Sequence, residues 1–343
     1  MFRVFDKIKN GEVYIIAEMS ANHGGSLDNA LKIVREVAKT GADCLKIQTY
    51  TADSLTIDCD NDYFRIKGGL WDGYKLYDLY KDAYTPYEWQ KTIKEECDRC
   101  GLDFLSTPFD NDAVDFLLDI GAEAFKIASF ELVDIPLIEY AASKHKPMIM
   151  SCGMASIEEI NDAVDACHRM GNSEIVLLKC TSEYPAKWSD MHLANIPDMK
   201  DRFGTYIGLS DHSAGSVGAV AGVALGACVI EKHVMLEGVE SADSGFSMTI
   251  DEFARMVTDV RNASMAVKGP DYELTQGEKD STVFRRSIFA VEDIRQGEEF
   301  TKENIRVIRP GYGLAPKYYK DILGKKSTTD IKRGIPLKEG DFE

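Results

Sequence analysis

The chain has 343 residues and a formal net charge of −17 at pH 7, and this length fits a barrel of ~250 residues with an additional small domain. The acidic balance argues against nucleic acid and anionic membrane surfaces as partners, because both require a basic face. The N-terminal sequence MFRVFDKIKN carries charges where a signal peptide needs an apolar stretch. With eight scattered cysteines that suggest no disulfide framework, these features predict a cytoplasmic protein.

Short, nearly continuous apolar segments alternate with amphipathic ones along the chain, a pattern typical of parallel strands that are buried on both faces. The predicted strands are 13–20, 44–50, 102–109, 123–130, 147–154, 174–182, 205–213 and 228–235. The predicted helices are 26–40, 86–100, 111–120, 134–145, 156–171, 189–203, 215–227 and 250–267. Eight such units predict a (β/α)8 TIM barrel. The alternative is an open doubly wound sheet, which gives no reason for eight strands and lacks the G-x-G-x-x-G motif after its first strand.

Two segments interrupt this alternation. Residues 51–85 form a long insertion rich in Tyr, Asp and Gly, and we predict an ordered lid over the active face. After the barrel domain, 1–268, we predict a polar linker, 269–284, and a small β-rich domain, 285–343. A domain of that size is near the lower limit for independent folding.

Two histidines lie at matching exits of consecutive predicted strands. His212 follows Ser210 on the seventh strand, and His233 shares one face of the eighth strand with Glu231. Because active-site residues of such barrels lie at the carboxyl ends of the strands, the two imidazoles are expected to meet around a divalent ion such as Mn²⁺, Co²⁺ or Zn²⁺. The alternative is that both histidines merely form hydrogen bonds at strand ends.

Two lysines, Lys46 and Lys126, are expected to share one layer of the barrel interior, since they come from the second and fourth strands. Surrounded by Ser and Thr hydroxyls, they would form a receptor for phosphate or carboxylate. Two alternatives remain open at this stage. In the first alternative, the lysines are simply solvated at the strand ends. In the second, one of them would form a Schiff base with a carbonyl substrate, as in an aldolase.

Several motifs together resemble those of the sialic-acid synthase family. They are IIAEMSANHGGSLDNALKIV, ADCLKIQTY, STPFD, FKIASFE, LKCTSEYP, GLSDHS and VIEKHVML, with SIFAVEDIRQGE and VIRPGYGL in the second domain. The resemblance implies a TIM barrel followed by an antifreeze-like (SAF) domain. It also implies an enzyme that condenses phosphoenolpyruvate (PEP) with an amino sugar to form a nine-carbon nonulosonic acid.

The insertion motif IKGGLWDGYKLYDLYKDAYTPYEW is similar to the branch of this family that forms pseudaminic acid. Ser182 stands where N-acetylneuraminate-type members usually carry Asn, which also favours a different acceptor. The implied acceptor is 2,4-diacetamido-2,4,6-trideoxy-L-altrose. N-acetylneuraminate or legionaminate synthesis is the alternative activity, and a non-catalytic carbohydrate-binding protein is the alternative of another class.

The resemblance further implies individual roles. The metal ligands would be His212 and His233, with Mn²⁺ expected and Co²⁺ or Mg²⁺ as alternatives. The residues that match PEP contacts are Lys46, Thr107, Lys126, Ser129, Ser151, Ser182 and Ser210. The residues that match acceptor contacts are Tyr184, Asp243 and Arg309, with Glu131 nearby and Gln48 as a further substrate-binding candidate. Glu18 and Glu231 match acidic positions near the reacting centre, and with His212, His233 and Arg309 they make up the expected catalytic set.

The implied reaction begins when C3 of PEP attacks the open-chain aldehyde of the sugar. Water then adds to C2, and the tetrahedral intermediate expels phosphate by C–O cleavage. Glu18 or Glu231 would move the proton of that water. The family resemblance also implies a domain-swapped homodimer, in which the SAF domain of one subunit covers the barrel of the other and Arg309 acts in trans.

Overall fold

Eight parallel strands close into a barrel in the first part of the chain, which confirms the predicted (β/α)8 architecture. In this computed structural model, residues 2–68, 71–267 and 269–343 are described. Each of these strands pairs with the next in sequence. The first strand, Tyr14–Glu18, also pairs with the eighth, Val229–Met235, where Glu18 lies opposite His233. The chain separates into two units, Met1–Lys268 and Gly269–Glu343.

The strands and helices have the following bounds. The strands are β1 (Tyr14–Glu18), β2 (Cys44–Thr49), β3 (Asp103–Pro108), β4 (Phe125–Ile127), β5 (Met148–Ser151), β6 (Ile175–Cys180), β7 (Tyr206–Ser210), β8 (Val229–Met235), β9 (Met248–Thr249), β10 (Ser287–Ala290) and β11 (Ile305–Ile308). The helices are α1 (Val4–Lys9), α2 (Leu27–Val37), α3 (Ala52–Leu55), α4 (Leu76–Ala83), α5 (Tyr87–Cys100), α6 (Asn111–Asp119), α7 (Ile135–Ala142), α8 (Ile157–Arg169), α9 (Asn195–Phe203), α10 (Val217–Ala224), α11 (Ile250–Ala266), α12 (Gln276–Ser281) and α13 (Tyr319–Ile322). Among the described residues, no helix has the length and apolar character that crossing a membrane requires.

The inward-facing side chains of the barrel change from apolar to polar along its axis. Near the N-terminal ends of the strands, Ile16, Leu105 and Val176 pack in one buried cluster with Val4 and Phe5. Because side chains alternate between the two faces of a strand, the next inward positions lie at the C-terminal ends. These positions carry the buried polar residues Glu18, Lys46, Thr107, Lys126, Ser151, Ser210 and Glu231. The same strands therefore supply an apolar floor and a charged upper layer.

Gly208 lies in the apolar layer, where β7 contacts both neighbouring strands. A Cβ atom added to it would lie 2.5 Å from the carbonyl oxygen of Val229 and 2.6 Å from Cδ2 of Leu178. A side chain at this position would separate β7 from β6 and β8. The glycine thus allows the strand that ends in His212 to reach its place at the rim.

The insertion 51–85, predicted to be an ordered lid, contains the helices α3 and α4. Buried hydrogen bonds hold its C-terminal end on the barrel. Thr85 Oγ1 lies 3.3 Å from His23 Nε2, and Gln90 Nε2 donates to the carbonyl oxygen of Thr85. Gly69 and Leu70, which belong to the insertion motif, lie outside the described residues, as does Lys268 at the end of the predicted barrel domain.

The second unit has its own core, around Ile288, Phe300, Ile305 and Leu337. Strands β10 and β11 pair antiparallel. The segment 328–337 of this predicted β-rich domain contributes isolated bridges such as Ile294 with Ile331. The segment 269–284, predicted as a linker, contains α12.

Candidate functional site

Four charged side chains meet at the C-terminal end of the barrel. Lys46 Nζ lies 2.7 Å from Glu18 Oε2 and 3.5 Å from Glu231 Oε1, and Lys126 Nζ lies 3.8 Å from Glu231 Oε2. All four residues are buried. The two lysines are therefore neither solvated nor a bare pair of cations, because carboxylates share the same layer. Charges removed from water in this way are stable only in mutual contact.

The two carboxylates of this layer are held in different states. Burial raises the pKa of Glu18, and the neighbouring Glu231 adds to the rise while Lys46 opposes it. Burial also acts to raise the pKa of Glu231, but the positive charges of Lys126 and Lys46 outweigh it and leave that pKa below its usual value. Two neighbouring carboxyl groups whose pKa values are shifted in opposite directions suit different roles. The group with the raised pKa can carry a proton, and the other stays an anion.

Hydroxyl groups extend this layer along β3, β5 and β7. Lys126 Nζ donates to Ser151 Oγ at 2.6 Å, and Lys46 Nζ lies 3.5 Å from Thr107 Oγ1. Ser210 Oγ donates to Glu231 Oε1 at 3.4 Å. The structure thus brings together the predicted PEP contacts of these strands around two ammonium groups.

Two further hydroxyl groups lie beside Gly153, a residue that was not predicted from the sequence. The backbone N–H of Gly153 donates to Ser129 Oγ at 3.1 Å. A Cβ atom at this glycine would overlap the Ser182 hydroxyl and approach Ser129 Oγ to 2.8 Å. The missing side chain therefore leaves room for two serines from different βα loops, which form one small polar cradle.

The imidazoles of His212 and His233 lie side by side, with ring centroids 5.4 Å apart. His212 Nδ1 lies 3.1 Å from the carbonyl oxygen of Thr181 and donates its hydrogen to it, so that a neutral ring has its lone pair on Nε2. His233 Nδ1 is buried and has no hydrogen-bond partner among the described residues. Burial and the nearby positive charges hold the pKa of His233 well below its usual value, which keeps this ring neutral.

A buried ion pair lies next to the two histidines in the chain, on the outer face of the barrel. Lys232 and Asp211 immediately precede the two histidines, and Lys232 Nζ also donates to the carbonyl oxygen of Ser213. In the described part of the chain, His, Cys, Asp and Glu side chains form no group of three or more that could hold a metal ion. The imidazole pair would therefore supply two protein ligands and leave the remaining positions to substrate and water.

Aromatic rings pack around the two imidazoles. The Tyr184 ring lies 4.4 Å from His212 and 4.9 Å from Phe246, and Phe246 lies 4.9 Å from His233. Trp71 of the insertion contacts Tyr184 at 5.8 Å. Tyr184 and the two histidines were predicted as site residues from the sequence. Trp71 was part of the predicted insertion without an individual role, and Phe246 was not predicted, because neither belongs to a strand end.

The remaining predicted residues of the barrel lie around the same opening. Gln48 Nε2 donates to Glu18 Oε1 and to Ser20 Oγ, each at 3.1 Å. Asp243 accepts a long hydrogen bond from the backbone N–H of Ala21 at 3.5 Å. Glu131 is more isolated, since its buried Oε2 has no hydrogen-bond partner among the residues described. Burial raises the pKa of Glu131 to about 7.

Arg309 belongs to the second unit, where it follows β11. Its side chain is exposed, and within the described ranges it takes part in no ion pair. Arg309 thus belongs to the unit Gly269–Glu343, and the other predicted site residues belong to Met1–Lys268.

The sequence matches the NeuB family over residues 33–271 and the SAF domain over residues 285–343. It is 47% identical over 333 residues to the pseudaminic acid synthase of Campylobacter jejuni subsp. jejuni serotype O:2, with 97% of each chain covered. It is 40% identical over 331 residues to the pseudaminic acid synthase of Helicobacter pylori, covering 96% of this chain and 97% of the relative. A crystal structure of the N-acetylneuraminic acid synthetase of Leptospira borgpetersenii serovar Hardjo-bovis in complex with citrate superposes with a TM-score of 0.70 at 31% identity, covering 79% of this chain and 90% of that one.

Proposed function

The chain belongs to the NeuB family, and we propose that it is a pseudaminic acid synthase, a transferase that condenses PEP with 2,4-diacetamido-2,4,6-trideoxy-L-altrose and water to give pseudaminate and phosphate. The observation that carries this proposal is the 47% identity with a pseudaminic acid synthase over 97% of both chains. Identity to the N-acetylneuraminic acid synthetase is lower, at 31%. The geometry of the barrel rim supports the same chemistry.

PEP is placed on the ammonium and hydroxyl side of the site. Lys46 and Lys126 would bind its carboxylate and phosphate oxygens through charge-assisted hydrogen bonds, with Thr107, Ser151 and Ser210 beside them. The cradle of Gly153, Ser129 and Ser182 would take the remaining phosphate oxygens. Since Glu18 and Glu231 already neutralise the lysines, PEP must displace a carboxylate or bind while one of them is protonated.

The raised pKa of Glu18 makes it the carboxyl group that would be protonated when PEP binds. Glu18 would hold a proton while PEP binds and give it to the aldehyde oxygen as the C–C bond forms. The resulting carboxylate would then accept the proton that water loses as it adds to C2. Glu231, whose pKa is lowered, would remain the anion that keeps both lysines oriented. The tetrahedral intermediate then releases phosphate into the cradle by cleavage of the C–O bond.

The imidazole pair fits a divalent metal ion. The Nδ1 of His212 is fixed by the Thr181 carbonyl, as expected for a ligand that coordinates through Nε2. His233, buried and with an unpartnered nitrogen, would be the second ligand. We propose Mn²⁺, with Co²⁺ or Mg²⁺ as alternatives. When bound, the ion would supply Lewis acidity toward the aldehyde carbonyl of the sugar.

The acceptor sugar is placed between the imidazoles and the aromatic rings, where Tyr184, Asp243 and Glu131 would contact it. Arg309 would come from a second subunit in a domain-swapped homodimer. Apolar side chains exposed on successive βα loops support such a dimer, because a partner would remove them from water. They include Phe130, Val133, Met154, Ile157 and Trp188. The eight free cysteines support a cytoplasmic location.

The test is phosphate release from PEP with a panel of sugars, with product masses recorded. Release with the altrose derivative and a product of the mass of pseudaminate is expected. Release with N-acetylmannosamine instead would favour an N-acetylneuraminate synthase, and release with the legionaminate precursor would favour a legionaminate synthase. Sugar binding without phosphate release would indicate a non-catalytic carbohydrate-binding protein. A lysine adduct trapped by borohydride would indicate a Schiff-base aldolase.

A further inference from the structure

Trp71 joins the insertion to the aromatic side of the site. Its indole Nε1 donates a hydrogen bond of 3.2 Å to the carbonyl oxygen of Ala242, in the segment that follows β8. Its ring lies 5.8 Å from that of Tyr184, which follows β6. One side chain of the insertion thus contacts two of the loops that surround the imidazole pair.

Trp71 lies at the end of a row of aromatic rings that begins beside His212. Moving away from His212, the rings follow in the order Tyr184, at 4.4 Å from the imidazole, and Trp71, beyond Tyr184. Lys46 and Lys126 belong to the buried layer of carboxylates and hydroxyl groups. A sugar whose aldehyde points toward the imidazoles would therefore extend its far end past Tyr184 toward Trp71.

We propose that Trp71 is a specificity-determining residue that contacts carbons 4 to 6 of the acceptor sugar and favours methyl-bearing substituents there. This inference rests on the proposed function, which gives the acceptor an acetamido group at C4 and a methyl group at C6. N-acetylmannosamine carries hydroxyl groups at both positions. An indole face gains from contact with a methyl group, whereas a hydroxyl group pressed against it loses a hydrogen bond to water without replacement.

Trp71 could contact the sugar, or it could only hold the insertion in place through its hydrogen bond to Ala242, and variants distinguish these two roles. If Trp71 only pinned the insertion to the loop after β8, its replacement would weaken the use of every sugar alike and would also disturb PEP. If its ring contacts the sugar, the loss falls on the substituents at C4 and C6. Trp71→Phe keeps an aromatic ring and removes the donor, while Trp71→Ala removes both.

The experiment compares the wild type, Trp71→Phe, Trp71→Ala and the control Tyr63→Ala, which removes an aromatic ring from the same insertion that is 90% exposed. Each is assayed for phosphate release with the altrose derivative, its 6-hydroxy analogue and its 4-hydroxy analogue. For Trp71→Ala we expect kcat/KM for the altrose derivative to fall about 10-fold to 200-fold, the range of specificity from one small apolar contact. The preference over both analogues should shrink, and the KM for PEP should stay within about twofold.

Trp71→Phe should retain most of the preference, and Tyr63→Ala should behave as the wild type. An unchanged ratio between the altrose derivative and its analogues in Trp71→Ala, with normal turnover by the wild type, would overturn the role of Trp71 alone. Wild-type turnover of N-acetylmannosamine but not of the altrose derivative would overturn the proposed function together with it. The two failures are therefore distinguishable.

Discussion

Lys232 Nζ lies 2.9 Å from Asp211 Oδ2, and this buried ion pair joins the two strand ends that carry the imidazoles. Asp211 also accepts hydrogen bonds from the backbone N–H and the hydroxyl of Ser213. The pair lies on the outer face of β8, opposite to Glu231 and His233. Its carboxylate and ammonium fix the backbone from which both histidines project.

We expect Lys232→Met to lower the free energy of unfolding by about 3–5 kcal/mol, because it leaves the Asp211 carboxylate buried without its cation. The double variant Asp211→Asn/Lys232→Met should lose less than the sum of the two single variants. Chemical denaturation of the full chain measures both. The control is Lys39→Met, which removes an exposed partner of Glu36 and should cost less than about 1 kcal/mol. Additive losses would show that the two charges do not stabilise each other.

Gly153→Ala should weaken PEP binding with little effect on the fold. The added methyl group would displace the hydroxyls of Ser182 and Ser129 from the cradle. We expect the KM for PEP to rise at least about tenfold, the effect of losing one to two hydrogen bonds to an anion, while the KM for the sugar changes less. Gly277→Ala is the control, since nothing lies within 4 Å of a Cβ there. Equal KM values for PEP in Gly153→Ala and the wild type would exclude the cradle as a phosphate site.

Removal of divalent metal with a chelator should abolish phosphate release, and Mn²⁺ should restore it. Independently of turnover, titration calorimetry should show Mn²⁺ binding to the wild type and at least tenfold weaker binding to His212→Ala and His233→Ala. His168→Ala, an exposed histidine near the end of α8, should bind as the wild type. Full activity in excess chelator, or equal Mn²⁺ affinity in all variants, would contradict the metal site.

Glu131 should make the protein less stable as the pH rises from about 4.5 to 7. Burial raises its pKa to about 7 in the folded state, against the attraction of Lys126, so that the folded protein keeps a proton that the unfolded chain has already released. Glu131→Gln should remove this slope, which amounts to roughly 3 kcal/mol between those pH values. Denaturant unfolding at several pH values measures it, with Glu237→Gln, an exposed carboxyl group, as the control. Identical pH profiles for Glu131→Gln and the wild type would show that the carboxyl group ionises freely.

Arg309→Ala should raise the KM for the sugar at least about tenfold and leave that for PEP nearly unchanged, because a lost charge-assisted hydrogen bond is worth about 1.5–3 kcal/mol. Arg306→Ala, which alters an exposed arginine of β11, is the control. Mixing Arg309→Ala with a barrel variant that is itself inactive, His233→Ala, should restore part of the activity if Arg309 acts in trans. No recovery after subunit exchange would place Arg309 outside the partner's site.

The barrel could be predicted from the sequence because each of its strands is buried on both faces. Segments such as 174–182 are then almost continuously apolar, and they correspond to β6 in the structure. Short elements carry no such signal. The predicted helix 189–203 begins only at Asn195, after a 3-10 turn from Trp188 to Asp190. In the second unit, strands of four residues gain most of their stability from the core around them, so their pairing could not be predicted locally.

The sequence predicted those features of the candidate site that depend on the side-chain pattern of a single strand. Alternation along β8 separates Glu231 and His233 from Lys232, and the structure has these side chains on opposite faces. The contacts of Lys46 with Glu18 and Glu231 depend on how neighbouring strands are staggered around the barrel, which no single strand encodes. Gly153 acts by lacking a side chain, so no chemical motif could point to it.

The inward side chains change from apolar to charged along the barrel axis, so that stability and reactivity depend on different residues of the same strands. The apolar layer of Ile16, Leu105 and Val176 can keep the barrel folded when residues at the C-terminal ends of the strands are replaced. Laboratory evolution toward new acceptors is therefore best confined to the strand exits and the insertion, where replacements leave the hydrophobic floor intact. Libraries built there should retain a higher fraction of folded members than libraries spread over whole strands.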